Sequence, residues 1–314
     1  MPGWPTAFRG SHVVAAGLVT RDRLRGPRYL RLLPDVYCRA TAEPPGLLLR
    51  SLAAYRLVEG RGVLSGHSAA TLLDAECAPG RDTPAEVTLL GGNLRAHPGL
   101  VVRRDRLGDD EITRVRDVAC TTPMRTAFDL ARGPEREAAV VAVDRLANRH
   151  RFHPDQLLEL HTRHRGRRGV ARVPGVVALA SPYAESPLET RLRLLIVGAG
   201  LPWPEVQWVV HDIATRTAFW LDMAWPEQRI GIEYEGEPHT ERSRVLRDVA
   251  RHTRLVDLGG RCTATRNARC TGIGPGSSRS WPVPARDAPE RGFSARRIPL
   301  RCISSRCRSG GPAS

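Results

Sequence analysis

The chain has 314 residues, enough for two or three domains, and a formal net charge of +15 in which every one of the 48 basic residues is arginine. The absence of lysine excludes a phosphate-loop lysine, a Schiff-base lysine and the lysine of the broad nuclease motif, and an odd seven cysteines without a CxxC pair argue against a zinc site or a disulfide framework. No apolar run approaches membrane length and Met1 to Gly10 lacks the apolar core of a secretory signal, so the expectation is a cytoplasmic protein with no membrane partner, whose basic balance suits a polyanion.

Phe8 to Ala40 reads as two short helices followed by a basic hairpin. Thr20 stands where it can cap a short helix, and Leu30, Leu32, Val36 and Tyr37 look extended. Arg21, Arg23, Arg25 and Arg28 are candidate phosphate contacts; the competing reading is a solvated arginine face. The Leu-x-x-Gly step, the arginine-rich segment and the Pro-x-Val-Tyr run resemble the N-terminal winged helix of AbiEi-type antitoxins. That resemblance implies a DNA-binding module over residues 1–80.

Residues 81–165 are expected to form a mixed α+β middle region. Just before it, Gly46 to Ala78 carries apolar residues at helical spacing and reads as two helices. Glu86 to Leu90 and Leu100 to Arg103 read as short strands on either side of a Gly-Gly-Asn turn, a hairpin signal, and Arg114 to Cys120 as a further strand. Thr122-Pro123 opens a helix with cap and first-turn proline in their favoured places, and Pro134 to Ala147 is another amphipathic helix. His67 and His97 have no partner at metal-ligand spacing and read as structural. The basic, turn-rich His161 to Gly169 reads as a linker between domains, with a phosphate contact as the alternative.

Ser186-Pro187-Leu188-Glu189 is a capping box with proline in the first turn, so a helix begins here. Val206 to Val210 follows as a strand. Phe219 to His239 then alternates apolar residues with period two about a turn at Pro226 to Gln228, which predicts a hairpin. Strict alternation puts Phe219, Leu221, Met223 and Trp225 on one face and Asp222 on the other, and sends Glu233 and Glu235 to a common face of the second strand. Three acids on neighbouring half-buried strands call for a counter-charge, and carboxylate oxygens suit Mg²⁺, Mn²⁺ or Ca²⁺. An edge hairpin with one solvated acidic face is the plainer alternative. Glu241 to Leu258 reads as a helix with Arg244, Arg247, Arg251 and Arg254 at helical spacing, either a solvated face or a phosphate-facing ridge.

Over Ser181 to Leu258 the pattern Asp222, Glu233-Tyr234-Glu235-Gly236 and His239 resembles the restriction-endonuclease-like PD-(D/E)xK core, most closely the very-short-patch-repair type. Glu235 departs from it, standing where the broad pattern has lysine and nearer relatives often have aspartate. The resemblance implies an αβ endonuclease domain over residues 181–258 and DNA as partner. It implies Asp222 and Glu233 as ligands of Mg²⁺ (or Mn²⁺), Glu235 as a further ligand or water-mediated group, and His239 as general base or leaving-group acid. Glu189 either closes its helix cap or, as in that family, reaches the active site. The fold class expected is therefore α+β to α/β.

Residues 259–314 change character: 11 arginines, two acids, a charge of +9 and no apolar period. Such composition does not bury a core, so a disordered tail is expected. The family has a strand after a Leu-Gly step, and Leu258-Gly259 precede no legible strand, which suggests a frameshift near Gly260 and a damaged nuclease. Two functions follow. One is a metal-dependent DNA endonuclease with an N-terminal DNA-binding module, impaired by a lost strand and helix. The other is a non-enzymatic DNA-binding regulator of antitoxin type on a degenerate nuclease fold. A two-carboxylate glycosidase is the weaker third, for want of sugar-stacking aromatics at 5% aromatic content.

Overall fold

Short apolar runs separated by turns and arginines build three sheets, and the chain is mixed α+β. The computed structural model describes residues 7–95, 97–212, 216–235 and 261–266. The first sheet holds β1 (Phe8–Arg9), β2 (Tyr29–Leu33) and β3 (Val36–Arg39) in the antiparallel order β1-β3-β2. Between β1 and β2 lie the two expected helices, α1 (Gly10–Ala15) and α2 (Arg21–Arg25). Thr20 caps α2, its hydroxyl accepting from the Arg23 N–H at 3.3 Å. Leu24 is the buried residue of α2, while Arg21, Arg23, Arg25 and Arg28 are exposed. One apolar anchor per short helix leaves the rest of its surface to solvent.

The second sheet is larger, with order β6-β5-β4-β8-β7. Its strands are β4 (Gly62–Leu64), β5 (Ala85–Leu89), β6 (Leu100–Arg103), β7 (Ile112–Val115) and β8 (Val118–Thr121). The helices α3 (Leu47–Val58) and α4 (Gly66–Leu72) pack against it. Strand β4 had no legible signal, being three residues long, yet it is central, so the boundary expected at residue 80 falls inside one sheet. The hairpin expected between Glu86–Leu90 and Leu100–Arg103 is corrected: β5 and β6 pair parallel. The stretch from Leu90 to Gly99 is too long for a tight hairpin turn and close to the dozen residues a parallel crossover needs. The hairpin of this region is β7–β8, antiparallel about Arg116, whose φ is 54°.

Helices α5 (Pro123–Ala131), α6 (Arg136–His150), α7 (Leu157–Arg163), α8 (Val173–Val177) and α9 (Pro187–Gly198) complete this part. Thr122 caps α5 by accepting from the Arg125 N–H at 3.3 Å. The buried face of α6, with Ala139, Val140, Val143, Leu146 and Ala147, packs on α5 and on α9, so α6 ties the middle sheet to the helix that leads into the third sheet. At that joint Asp144 is fully buried. Its carboxylate accepts from the Ser181 N–H at 2.7 Å, the Thr190 hydroxyl at 2.8 Å and Arg193 at 2.5 Å. Burial pushes Asp144 up to about 6 despite the Arg193 guanidinium, which works the other way. Asp144 therefore binds its proton more tightly folded than unfolded, and its contribution to stability falls as pH rises from about 4 to about 6. The destabilisation caused by Asp144→Asn is expected to shrink over that range by on the order of 2–3 kcal/mol. Thermal melts of both chains at pH 4.5 and 6.5 check this; a pH-independent difference would mean that Asp144 stays ionised throughout.

The segment His161 to Gly169, expected to be a linker, is corrected as well. His164 is buried, its Nε2 lying 2.6 Å from Glu111 Oε1 and 3.3 Å from Arg125 Nη1. Arg163 and Arg167 pair with Asp110 and Asp105. A basic, turn-rich sequence looks like a linker because its partners lie some 50 residues earlier in the chain.

The third sheet has order β12-β11-β10-β9, from β9 (Glu205–Asp212), β10 (Thr217–Trp225), β11 (Ile230–Glu235) and β12 (Arg261–Arg266). The first three run antiparallel to their neighbours, and β12 pairs parallel with β11 from Ile230 opposite Arg261 to Glu235 opposite Arg266. This overturns the expectation that the strand after Leu258-Gly259 is missing, while the expected loss of the final helix and the suggested frameshift fall on residues outside those described. The segment has no apolar period, but Arg-Cys-Thr-Ala-Thr-Arg pairs through its backbone, and its sequence has β-branched Thr263 and Thr265. The rest of the expected tail, 259–260 and 267–314, lies outside the described residues.

Candidate active site

The helix start at Ser186 forms as the capping box demands. The Ser186 hydroxyl accepts from the Glu189 N–H at 3.2 Å. The return bond is displaced by one residue, for Glu189 Oε2 accepts from the Glu185 N–H at 3.0 Å instead of from that of Ser186. Glu189 is thus both the cap residue and a buried acid, 7% exposed, at the first turn of α9. The same Oε2 accepts from the side-chain amide of Gln207 on β9 at 3.2 Å, which brings α9 onto the third sheet.

Across that sheet the register lines up the other candidates. On β9 and β10, Trp208 faces Leu221 and Val206 faces Met223, so Gln207 stands opposite Asp222. On β10 and β11, Met223 faces Ile232, and one step further along the same register Asp222 stands opposite Glu233. Gln207, Asp222 and Glu233 therefore occupy one row on three neighbouring strands. Asp222 and Glu233 are half-buried. The backbone of Glu235 closes β11 two residues on.

The electrostatics tie Glu189 to this row. Burial is the main cause that lifts the Glu189 carboxyl above its ordinary range, and the negative charge of Asp222 lifts it further against the cap and Gln207 hydrogen bonds, which favour the charged form. Two acids from a helix and a strand thus repel each other in a half-dry setting. That is where a divalent cation gains most, and the donors at hand are hard carboxylate oxygens that suit Mg²⁺ or Mn²⁺. Among the described residues, no group of three or more His, Cys, Asp and Glu is arranged as a metal site. The fit to a cation thus rests on the donor chemistry and on this repulsion.

Met223 and Ala224, adjacent in sequence, are 0% and 2% exposed, and Ala224 shares an apolar cluster with Leu221, three residues earlier. Both faces of the sheet are covered there. Gly231, opposite Ala224, has room only for a hydrogen, since a Cβ would lie 2.7 Å from Leu221 Cδ1. On β9 the row itself carries an irregular backbone, for Gln207 has φ of 54°.

Of the remaining candidates, Arg21, Arg23, Arg25 and Arg28 form an exposed basic surface on and beside α2, with Arg25 at 3.4 Å from the equally exposed Asp22. His239, Arg244, Arg247 and Arg251 lie outside the described residues. His67 is indeed set among structural partners, its Nδ1 lying 3.7 Å from the Cys77 thiol. Burial pushes that thiol up to about 12, which favours the neutral thiol over the thiolate. Two features carried no sequence signal. Gln207 is one. The other is Arg125, completely buried among Asp105, Glu111 and Asp129 at 2.8–3.0 Å.

No family model matches the chain. Two proteins of Mycobacterium tuberculosis, the uncharacterized proteins MT2308 and Rv2248, are each 34% identical to it over 224 residues, which is 69% of this chain and 79% of theirs. Among the described residues no helix is long and apolar enough to cross a membrane.

Proposed function

From the premise that the chain belongs to the family of the Mycobacterium tuberculosis proteins MT2308 and Rv2248, we propose that it is a metal-dependent DNA endonuclease of the very-short-patch-repair kind, with an N-terminal winged-helix-like module that grips DNA. The observation that carries the reading is the row of Gln207, Asp222 and Glu233 across β9, β10 and β11, with Glu189 reaching it from α9. Asp222 and Glu233 hold Mg²⁺ or Mn²⁺, and Glu189 completes the negative side of the site. A bound Mg²⁺ supplies charge that polarises a phosphodiester and lowers the pKa of a water. The exposed Arg21, Arg23, Arg25 and Arg28 meet phosphates, which positions the duplex without reading its sequence. A basic protein without lysine suits this task, because arginine holds phosphate bidentately.

The test uses the full chain with supercoiled plasmid in Mg²⁺, in Mn²⁺ and in a chelator, beside DNA binding at 50 and 200 mM salt. Nicking that needs the divalent ion supports the reading. Four phosphate contacts predict roughly a 100-fold loss of affinity between the two salt concentrations. Salt-sensitive binding without cleavage in either metal replaces the endonuclease with a DNA-binding regulator of antitoxin type. An absence of DNA binding refutes both.

A further inference from the structure

Gln207 lies in the middle of β9 with φ of 54°. A left-handed backbone is rare for a side-chain-bearing residue and rarer within a strand. The ladder with β10 keeps one register on both sides of the step, so the irregularity inserts no residue and shifts no pairing. Strand pairing alone does not ask for glutamine here, and glycine would take the same backbone freely. What glutamine adds is its amide. Nε2 donates to Glu189 Oε2 at 3.2 Å, the oxygen that also accepts from the Glu185 N–H. Among the described residues, Glu189 Oε1 receives no hydrogen bond. A left-handed residue also leaves the two-residue alternation of its strand, and this one does so opposite Asp222.

We propose that Gln207 is a positioning residue of the site, held in a strained backbone so that its amide fixes Glu189 by one oxygen and leaves the other for the cation. The inference rests on the endonuclease reading and gives a role to Gln207, which that reading only places in the row. Glutamine suits the task because it donates without adding charge: an arginine would neutralise Glu189, and an acid would repel it. The strained conformation persists because the neighbouring strand pairs on both sides hold it.

The experiment compares the full chain with Gln207→Gly and Gln207→Asn. Thermal midpoints, calorimetric Mg²⁺ affinity and plasmid-nicking kinetics are measured on each. Glycine relieves the backbone and removes the amide, so its midpoint is expected to stay or rise while Mg²⁺ affinity falls about 10-fold or more and kcat falls with KM for DNA unchanged. Asparagine keeps an amide on a shorter arm and is expected to lose the same function, since it does not span to Glu189. Unchanged Mg²⁺ affinity and kcat in the glycine variant overturn the positioning role while leaving the endonuclease reading intact. A glycine variant whose midpoint falls together with its activity overturns the role too, because Gln207 would then be structural. A wild-type chain that neither binds Mg²⁺ nor nicks plasmid overturns both.

Discussion

Plasmid nicking by the Asp222→Asn chain is expected to be at least about 100-fold slower than by the wild type at equal Mg²⁺. Losing a partner that merely orients a metal ligand costs 10- to 100-fold, and Asp222 is read as the ligand itself. Asparagine keeps the shape and one oxygen, so β10 should hold its pairing with β9 and β11 and the thermal midpoint should barely move. DNA affinity should also persist, since the arginines of the N-terminal surface lie elsewhere in the chain. A second readout does not depend on catalysis. The charge of Asp222 helps to lift the Glu189 carboxyl, so removing it is expected to lower the Glu189 titration midpoint, measurable by carbon-13 shift. An unmoved midpoint would mean that the two acids do not share a site, whatever the nicking rate.

The parts of this site that are local in sequence were legible. The capping box from Ser186 to Glu189 predicts a helix start because every group it satisfies lies within three residues. The period-two runs around Pro226 predict β10 and β11 because a hairpin is specified by its own two strands and turn. The failures share one cause, which is long-range pairing. β5 and β6 looked like a hairpin because the Gly-Gly-Asn stretch is turn chemistry, and turn chemistry does not reveal that the chain crosses over to a parallel neighbour. His164 looked like linker because its partner Glu111 lies far away in sequence. β12 is not legible because a strand pairing with an existing edge needs backbone groups more than an apolar pattern. Gln207 was invisible for a different reason: a left-handed backbone usually announces itself as glycine, asparagine or aspartate, and glutamine gives no such sign.

Replacing Arg125 by methionine is expected to lower the thermal midpoint on the order of 10 °C, from a loss of about 3–5 kcal/mol. The guanidinium is wholly buried and meets Asp129 at 3.0 Å, Glu111 at 2.8 Å and Asp105 at 2.9 Å. These come from α5 itself, from the turn before β7 and from the connection after β6, so one side chain pins helix to sheet at three places. Burial alone would push Asp105 up, but Arg132 and Arg125 overcome it and hold it below the ordinary carboxylate range. Glu111 is likewise held low against its burial, by the Gly108 N–H, His164 and Arg125. Methionine fills much of the volume and removes the charge, leaving three acids with too few cations in a place water does not reach. Arg132 still pairs with Asp105 and Asp129, which limits the loss and spares the fold from collapse. The sign of the pH dependence follows. Carboxyls held low stabilise the fold above about pH 4, and that gain is lost as pH falls through their lowered values. Without Arg125 their values rise, so the gap between wild type and Arg125→Met should be widest near neutral pH and narrow on acidification, where protonation removes the charges that arginine had balanced. Urea unfolding at pH 7 and at pH 4 measures both gaps. An equal gap at the two pH values would show that Arg125 acts by packing against Phe128, whose ring centroid lies 5.6 Å from its guanidinium, and not by compensating buried charge.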